Sequence, residues 1–138
     1  MKILFLSAVY PHPTAPVRGT FNRDLCRALS QSADVRVISP VAWTERWKHP
    51  LTVPSDHEEF SVAYPTYYYT PKVLRNKYGS FMWKSIRRQV QRTLDDFQPD
   101  WVLSYWAHPD GEAGLRAAQA CGAKAGVIVG GSDILLLT

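Results

Sequence analysis

The sequence predicts an α/β fold in which helices cover both faces of an open parallel sheet. Three observations lead there. Short apolar runs recur at residues 2–7, 35–40, 101–105 and 124–129. Stretches with helical apolar spacing lie between them, and most of the runs end in loops that carry Pro or Gly. Runs that are brief and unbroken suit strands buried on both faces, the pattern of parallel sheets. In such sheets the loops at the carboxyl ends of the strands form the ligand crevice, so those loops are where function is expected.

At 138 residues the chain is long enough for one domain with a single core. Its composition, 46% hydrophobic and 20% charged, is that of globular proteins, and no apolar run approaches the ~20 residues of a membrane span. Met1-Lys2 leads straight into the first strand, without the apolar segment and cleavage site of a secretion signal. Cys26 and Cys121 are isolated and match no metal spacing, which favours reduced thiols in a cytoplasmic protein. The net charge is +4, and seven of the sixteen basic residues fall between Lys72 and Arg92. Such a patch suits phosphates, an anionic membrane surface or nucleic acid.

The first strand, residues 2–7, sits mid-sheet and opens into the loop 8–20. Thr20 is placed to cap a helix whose Phe21, Leu25, Ala28 and Leu29 fall on one side. Gly19 precedes that helix, where a missing side chain suits either a turn or an anionic group approaching the helix end. The three spaced glycines of a dinucleotide fingerprint are missing, which argues against a nicotinamide site of that type. A second strand follows at 35–40. Residues 41–60 lack periodicity and read as a long excursion, with Trp43 and Trp47 expected to pack on the domain. Residues 60–64 alternate as a third strand, and Tyr67, Tyr68 and Tyr69 either pack an edge or stack on a ligand.

Residues 81–97 form a strong amphipathic helix with Phe81, Met82, Ile86, Val90, Leu94 and Phe97 on its stripe. Lys84, Arg87, Arg88 and Arg92 lie largely off it and form either a solvated face or a membrane-facing one. The fourth strand, 101–105, runs into Trp106-Ala107-His108-Pro109-Asp110-Gly111. His108 is expected at the crevice, where an imidazole can donate to a sugar hydroxyl or phosphate oxygen. Asp110 either accepts hydroxyl hydrogen bonds or caps the next helix. That helix holds Ala113, Gly114, Ala117, Ala118 and Cys121, with Gly122 as its C-cap. After the fifth strand, 124–129, Gly130-Gly131-Ser132-Asp133 repeats the logic of the first turn as a second anion cradle before a helix at Ile134. The apolar stretch 134–137 at the end is read as the start of a helix belonging to a longer protein.

Together these pieces resemble the N-terminal domain of family 4 glycosyltransferases, retaining enzymes built from two Rossmann-like domains in the GT-B arrangement. The likeness rests on the Tyr10-Pro11 loop with Gly19 and Phe21, on Tyr64-Pro65 through Pro71-Lys72, on His108-Pro109-Asp110-Gly111, and on Gly131-Ser132-Asp133-Ile134. It implies transfer of a sugar from a nucleotide-sugar donor to a glycan or lipid-linked acceptor, without a metal or other cofactor. It also implies that this chain, 1–138, is the acceptor-side domain and that a C-terminal domain binds the donor. By position, His108 would be catalytic, and Arg18, Gly19, Tyr105, Asp110, Gly131, Ser132 and Asp133 would contact substrate. The chain departs from the family pattern at Tyr105, where many relatives carry histidine, and at Gly130, where they carry arginine or histidine; His108 would substitute for the former. Relatives that reach lipid-linked acceptors give Lys84, Arg87, Arg88 and Arg92 a peripheral membrane role at the inner, cytoplasmic face. The competing expectation is a self-contained Rossmann-like or flavodoxin-like module that binds a nucleotide or phosphate. No nucleic-acid reading motif accompanies the basic patch, so a nucleic-acid partner is not expected.

Overall fold

A computed structural model describes residues 1–12, 15–48 and 60–131. The first strand, β1 (Lys2–Leu6), is followed by α1 (Thr20–Leu29), β2 (Asp34–Ile38), β3 (Val41–Ala42) and α2 (Trp43–Lys48). Then come β4 (Ser61–Ala63), β5 (Thr66–Tyr67), a 3-10 turn (Arg75–Lys77) and α3 (Tyr78–Phe97). The last described elements are β6 (Trp101–Tyr105), a π-type turn (Ala107–Gly111), α4 (Glu112–Cys121) and β7 (Lys124–Ile128). The main sheet has the order β4-β2-β1-β6-β7 with every pair parallel. Ranked along the chain, its strands therefore run 3-2-1-4-5, the Rossmann order and not the flavodoxin one.

The apolar run of β1 explains its central place. Ile3, Leu4, Phe5 and Leu6 are at most 3% exposed, and alternate residues feed two cores. Leu4 and Leu6 meet Met82, Ile86, Val90 and Leu94 of α3 and Ala113, Ala117 and Ala118 of α4. Ile3 and Phe5 meet Tyr10, Cys26, Val35 and Val37 on the opposite face, under α1. Full burial of such a side chain contributes roughly 1.5–3 kcal/mol, so β1 is the main anchor of both layers. The expected α/β architecture with helices on both faces is thus observed.

Several details differ from the sequence reading. Gly19, not Thr20, is the N-cap of α1, and no side chain caps that end. The buried face of α1 carries Asn22 and Cys26, while Phe21 and Ala28 are exposed. Asn22 is buried because its amide donates to the Val9 carbonyl at 2.6 Å. The excursion after β2 contains β3 and α2, and β3 pairs in parallel with β5 in a small second sheet. Trp43 packs inward and donates to the Tyr69 carbonyl, whereas Trp47 is 79% exposed. Helix α3 begins three residues earlier than expected; Met82, Ile86, Val90, Leu94 and Phe97 are buried as predicted, whereas Phe81 is only half-buried. Gly122 is the left-handed C-cap of α4, as expected. Cys26 is buried and Cys121 exposed, and no disulfide joins them. No helix among the described residues is long and apolar enough to cross a membrane.

Candidate functional site

In the order 3-2-1-4-5 the direction of chain progression reverses between β1 and β6, and the loops leaving these two strands diverge into the crevice that Rossmann sheets use. Here the two loops are joined by one buried carboxyl. Asp110 is 1% exposed and accepts hydrogen bonds from the Ser7 hydroxyl at 2.8 Å and the Ala8 amide at 3.1 Å. The Ser7 oxygen in turn accepts from the Val9 amide at 3.0 Å. Burial pushes the Asp110 carboxyl up to about 7, against the pull of its bonds to Ser7 and Ala8. Expected as a substrate contact or a helix cap, Asp110 instead turns inward: α4 has no side-chain cap, and the carboxyl is used up in holding two loops together.

The β1–α1 loop folds against its own helix. Gly19 stands at φ 60°, and a Cβ there would lie 2.5 Å from the Val9 carbonyl oxygen. The missing side chain thus lets the loop close down on the start of α1. Arg18 makes a two-pronged pair with Glu45 of α2 at 2.9 and 2.7 Å. His12, 4% exposed, lies 3.5 Å from the same carboxylate. Burial and the Arg18 charge hold the His12 imidazole below its ordinary value, and the Arg18 bond holds the Glu45 carboxyl below its own. The Tyr67 phenol, buried near the same cluster, is pushed up by burial first and by Asp110 second.

The β6–α4 loop is built differently. Trp106 has φ 75° and ψ 136°, a backbone state bulky residues avoid at a cost on the order of 1–3 kcal/mol. It is held there from both sides: its amide donates to the Ile128 carbonyl at 2.8 Å, and its carbonyl accepts from the Gly111 amide at 2.9 Å. The His108–Pro109 peptide is cis. The His108 Nε2 lies 2.9 Å from the Arg75 carbonyl, so that nitrogen carries the proton, and Nδ1 lies 3.6 Å from Glu112. His108 therefore ties the 3-10 turn before α3 to the crevice edge. Gly131 follows at φ 85° with open space where its side chain would be. Ser132 and Asp133 lie outside the described residues.

The structure thus brings Arg18, Gly19, Tyr105, His108, Asp110 and Gly131 to the carboxyl edge of one sheet. Lys84, Arg87, Arg88 and Arg92 are all exposed along α3, a separate surface that only its amino-terminal end links to the crevice. Sequence reasoning missed Ser7, His12 and Glu45, whose roles depend on partners far away in the chain. Among the described residues no three His, Cys, Asp or Glu side chains converge as a metal site. Two surface hollows, of about 710 and 430 Å³, open at the amino ends of the strands, beside Asp100, Lys124 and Lys2. They are wide troughs in which no buried polar groups converge, so the crevice loops remain the candidate site.

No known family model matches the chain, and no curated protein does. Solved structures do match. The C-terminal domain of a hydrogenase from Pyrococcus furiosus superposes with TM-score 0.61 at 12% identity, over 92% of this chain and 89% of that one. UDP-GlcNAc 2-epimerase from Neisseria meningitidis, solved with UDP-GlcNAc bound, gives 0.55 at 18% identity, over 93% of this chain and 32% of that one. The enzyme of the same name from Methanocaldococcus jannaschii gives 0.54 at 13%, over 92% and 31%. This chain spans about a third of either epimerase. At these identities the likeness establishes the Rossmann-like fold.

Proposed function

We propose that this chain is the acceptor-side half of a retaining glycosyltransferase, which moves a sugar from a nucleotide-sugar donor to a glycan or lipid-linked acceptor. The observation that carries the reading is convergence. Motifs scattered from Tyr10 to Gly131, each unspecific alone, meet at one sheet edge across the β1/β6 reversal point. Likeness in fold to two UDP-GlcNAc 2-epimerases supports a nucleotide-sugar link. In this reading a C-terminal domain, binding the donor, closes over that edge. Asp110 positions the two loops, and Arg18 meets donor phosphate once Glu45 gives way. His108 contacts the reacting groups after leaving the Arg75 carbonyl, and the proposed chemistry calls on no metal.

The amino end of α3 lies at the same edge, because a crossover helix runs back against its strands and His108 holds the preceding turn there. That turn exposes Val73 (57%) and Leu74 (53%) among Lys72, Arg75 and Lys77. Apolar tips within a basic surface suit an anionic membrane at the cytoplasmic face, from which a lipid-linked acceptor would be drawn. Neutralising Lys72, Arg75 and Lys77 together with Arg87, Arg88 and Arg92 is expected to abolish binding to phosphatidylglycerol vesicles; undiminished binding would leave the patch a solvated face.

The first test is the intact mass of the protein in its native cell. A species heavier than 15.6 kDa by a further domain of ~150 residues supports the transferase reading, and nucleotide-sugar turnover should then be assayed on that species. A species of 15.6 kDa favours a second reading, a self-contained nucleotide- or phosphate-binding module. The hydrogenase domain, nine-tenths covered by this chain, is the observation behind that alternative.

A further inference from the structure

Beyond the joined loops, the crevice edge carries an aromatic surface with open polar tips. Phe21, Tyr105 and Trp106 form a continuous row: the Phe21 and Tyr105 rings are 5.1 Å apart and tilted by 60°, and the Tyr105 and Trp106 rings are 6.1 Å apart and 26° from parallel. Phe21 is 52% exposed and Trp106 37%. A Cβ on Gly130 would fall 2.6 Å from the Tyr105 hydroxyl and 3.2 Å from the indole Nε1 of Trp106. The two polar tips therefore meet over bare backbone. Neither has a hydrogen-bond partner among the described residues.

We infer that Phe21, Tyr105 and Trp106 form a stacking ledge for a pyranose ring, the acceptor sugar of the transfer proposed above, on which this inference rests. A pyranose presents an apolar face of axial C–H groups and a rim of hydroxyls. It needs a flat π surface beneath and hydrogen-bonding groups at the ring edge. The exposed Trp106 ring, backed by the near-parallel Tyr105 ring, supplies the surface, and the phenol and indole N–H supply the rim. Phe21, tilted, closes one end as a low wall, a step that fits a puckered ring better than a flat base. The strained Trp106 backbone, pinned to Ile128 and Gly111, turns the indole outward. Strain of that kind gathers at sites that bind.

The test is saturation-transfer NMR on the 138-residue chain with methyl β-D-glucopyranoside and, separately, uridine monophosphate. The expected result is transfer strongest at the axial H1, H3 and H5 of the glucoside. Trp106→Ala should weaken that binding about tenfold, the worth of one stacked face, and Trp106→Phe should weaken it less. Phe21→Ala alters a half-exposed side chain and keeps the test open should Trp106→Ala fail to fold; it should weaken binding measurably. Even transfer to all glucoside protons, transfer to the uracil ring alone, or binding unchanged in both alanine variants would overturn the ledge. In the whole enzyme, glucoside binding without any sugar transfer would sink the transferase reading and spare the ledge. Transfer with an acceptor KM unmoved by Trp106→Ala would do the reverse.

Discussion

The two halves of the crevice edge face the same way and are finished differently. On the β1 side, Arg18 is gripped by Glu45, Asn22 by the Val9 carbonyl, and Ser7 by Asp110. On the β6 side, the Tyr105 hydroxyl and Trp106 indole point at Gly130 without partners among the described residues. Groups already bonded at good distance gain little from a ligand unless a partner first gives way, because a new contact only replaces an old one. The contrast separates a frame, which sets loop geometry, from a surface still able to form contacts.

The largest expected effect compares the glycines of the two halves. Gly19→Ala combines a left-handed backbone with collision against Val9, and should cost about 2–4 kcal/mol in denaturant unfolding. Gly131→Ala meets nothing within 4 Å and should cost only about 1–2 kcal/mol, the backbone part alone. Equal losses would erase the distinction between frame and surface.

Next in size is the pH dependence of the joint between the halves. The Asp110 carboxyl titrates near 3.8 when unfolded and near 7 when folded, so the folded state holds the proton more tightly. Its contribution to stability is complete below the lower value and is lost as pH rises through the upper one. The slope between them approaches about 1.4 kcal/mol per pH unit. His12, held below its ordinary value, acts oppositely and costs stability as the pH falls. The difference between wild type and Asp110→Asn, unfolded in urea from pH 5 to 8, isolates the aspartate. Asp110→Asn should gain on wild type as pH rises, and parallel curves would mean the carboxyl is not buried as described.

The smallest effect belongs to the exposed pair on the frame. Glu45→Gln should cost less than about 1 kcal/mol, since both partners reach solvent. It should also lower the His12 titration point further, because Glu45 is the neighbour that raises it. Proton NMR of the His12 ring reads this directly; an upward shift would contradict the arrangement of the three groups.

What the sequence revealed and what it hid follow from the range of the interactions. Residues 101–105 declare a strand by their own apolar continuity, and Met82, Ile86, Val90 and Leu94 declare a helix face by their spacing. The two-residue strands β3 and β5 leave no period to detect, and they exist only because they pair with each other. Phe21 falls by its spacing on the expected apolar side of α1, yet Asn22 is buried instead, since nothing local says that a distant carbonyl awaits its amide or that the Phe21 ring stays exposed. The Arg18–Glu45 pair spans 27 residues and the Ser7–Asp110 bond 103, beyond any motif. The sheet edge that gathers the candidate site was thus legible, while the identity of its frame residues was not.

The central position of β1 also bears on how the protein is made. Residues 2–6 leave the ribosome well before their partner on one side, residues 101–105, which is synthesised about a hundred residues later. Until then a largely apolar strand has one edge unpaired, and the α4 part of its cover is still to come. Contacts of such long sequence separation slow folding and prolong exposure to aggregation. While residues 7–100 are being made the nascent chain is therefore a natural client for chaperones that hold apolar strands, and truncation before Tyr105 should yield insoluble protein.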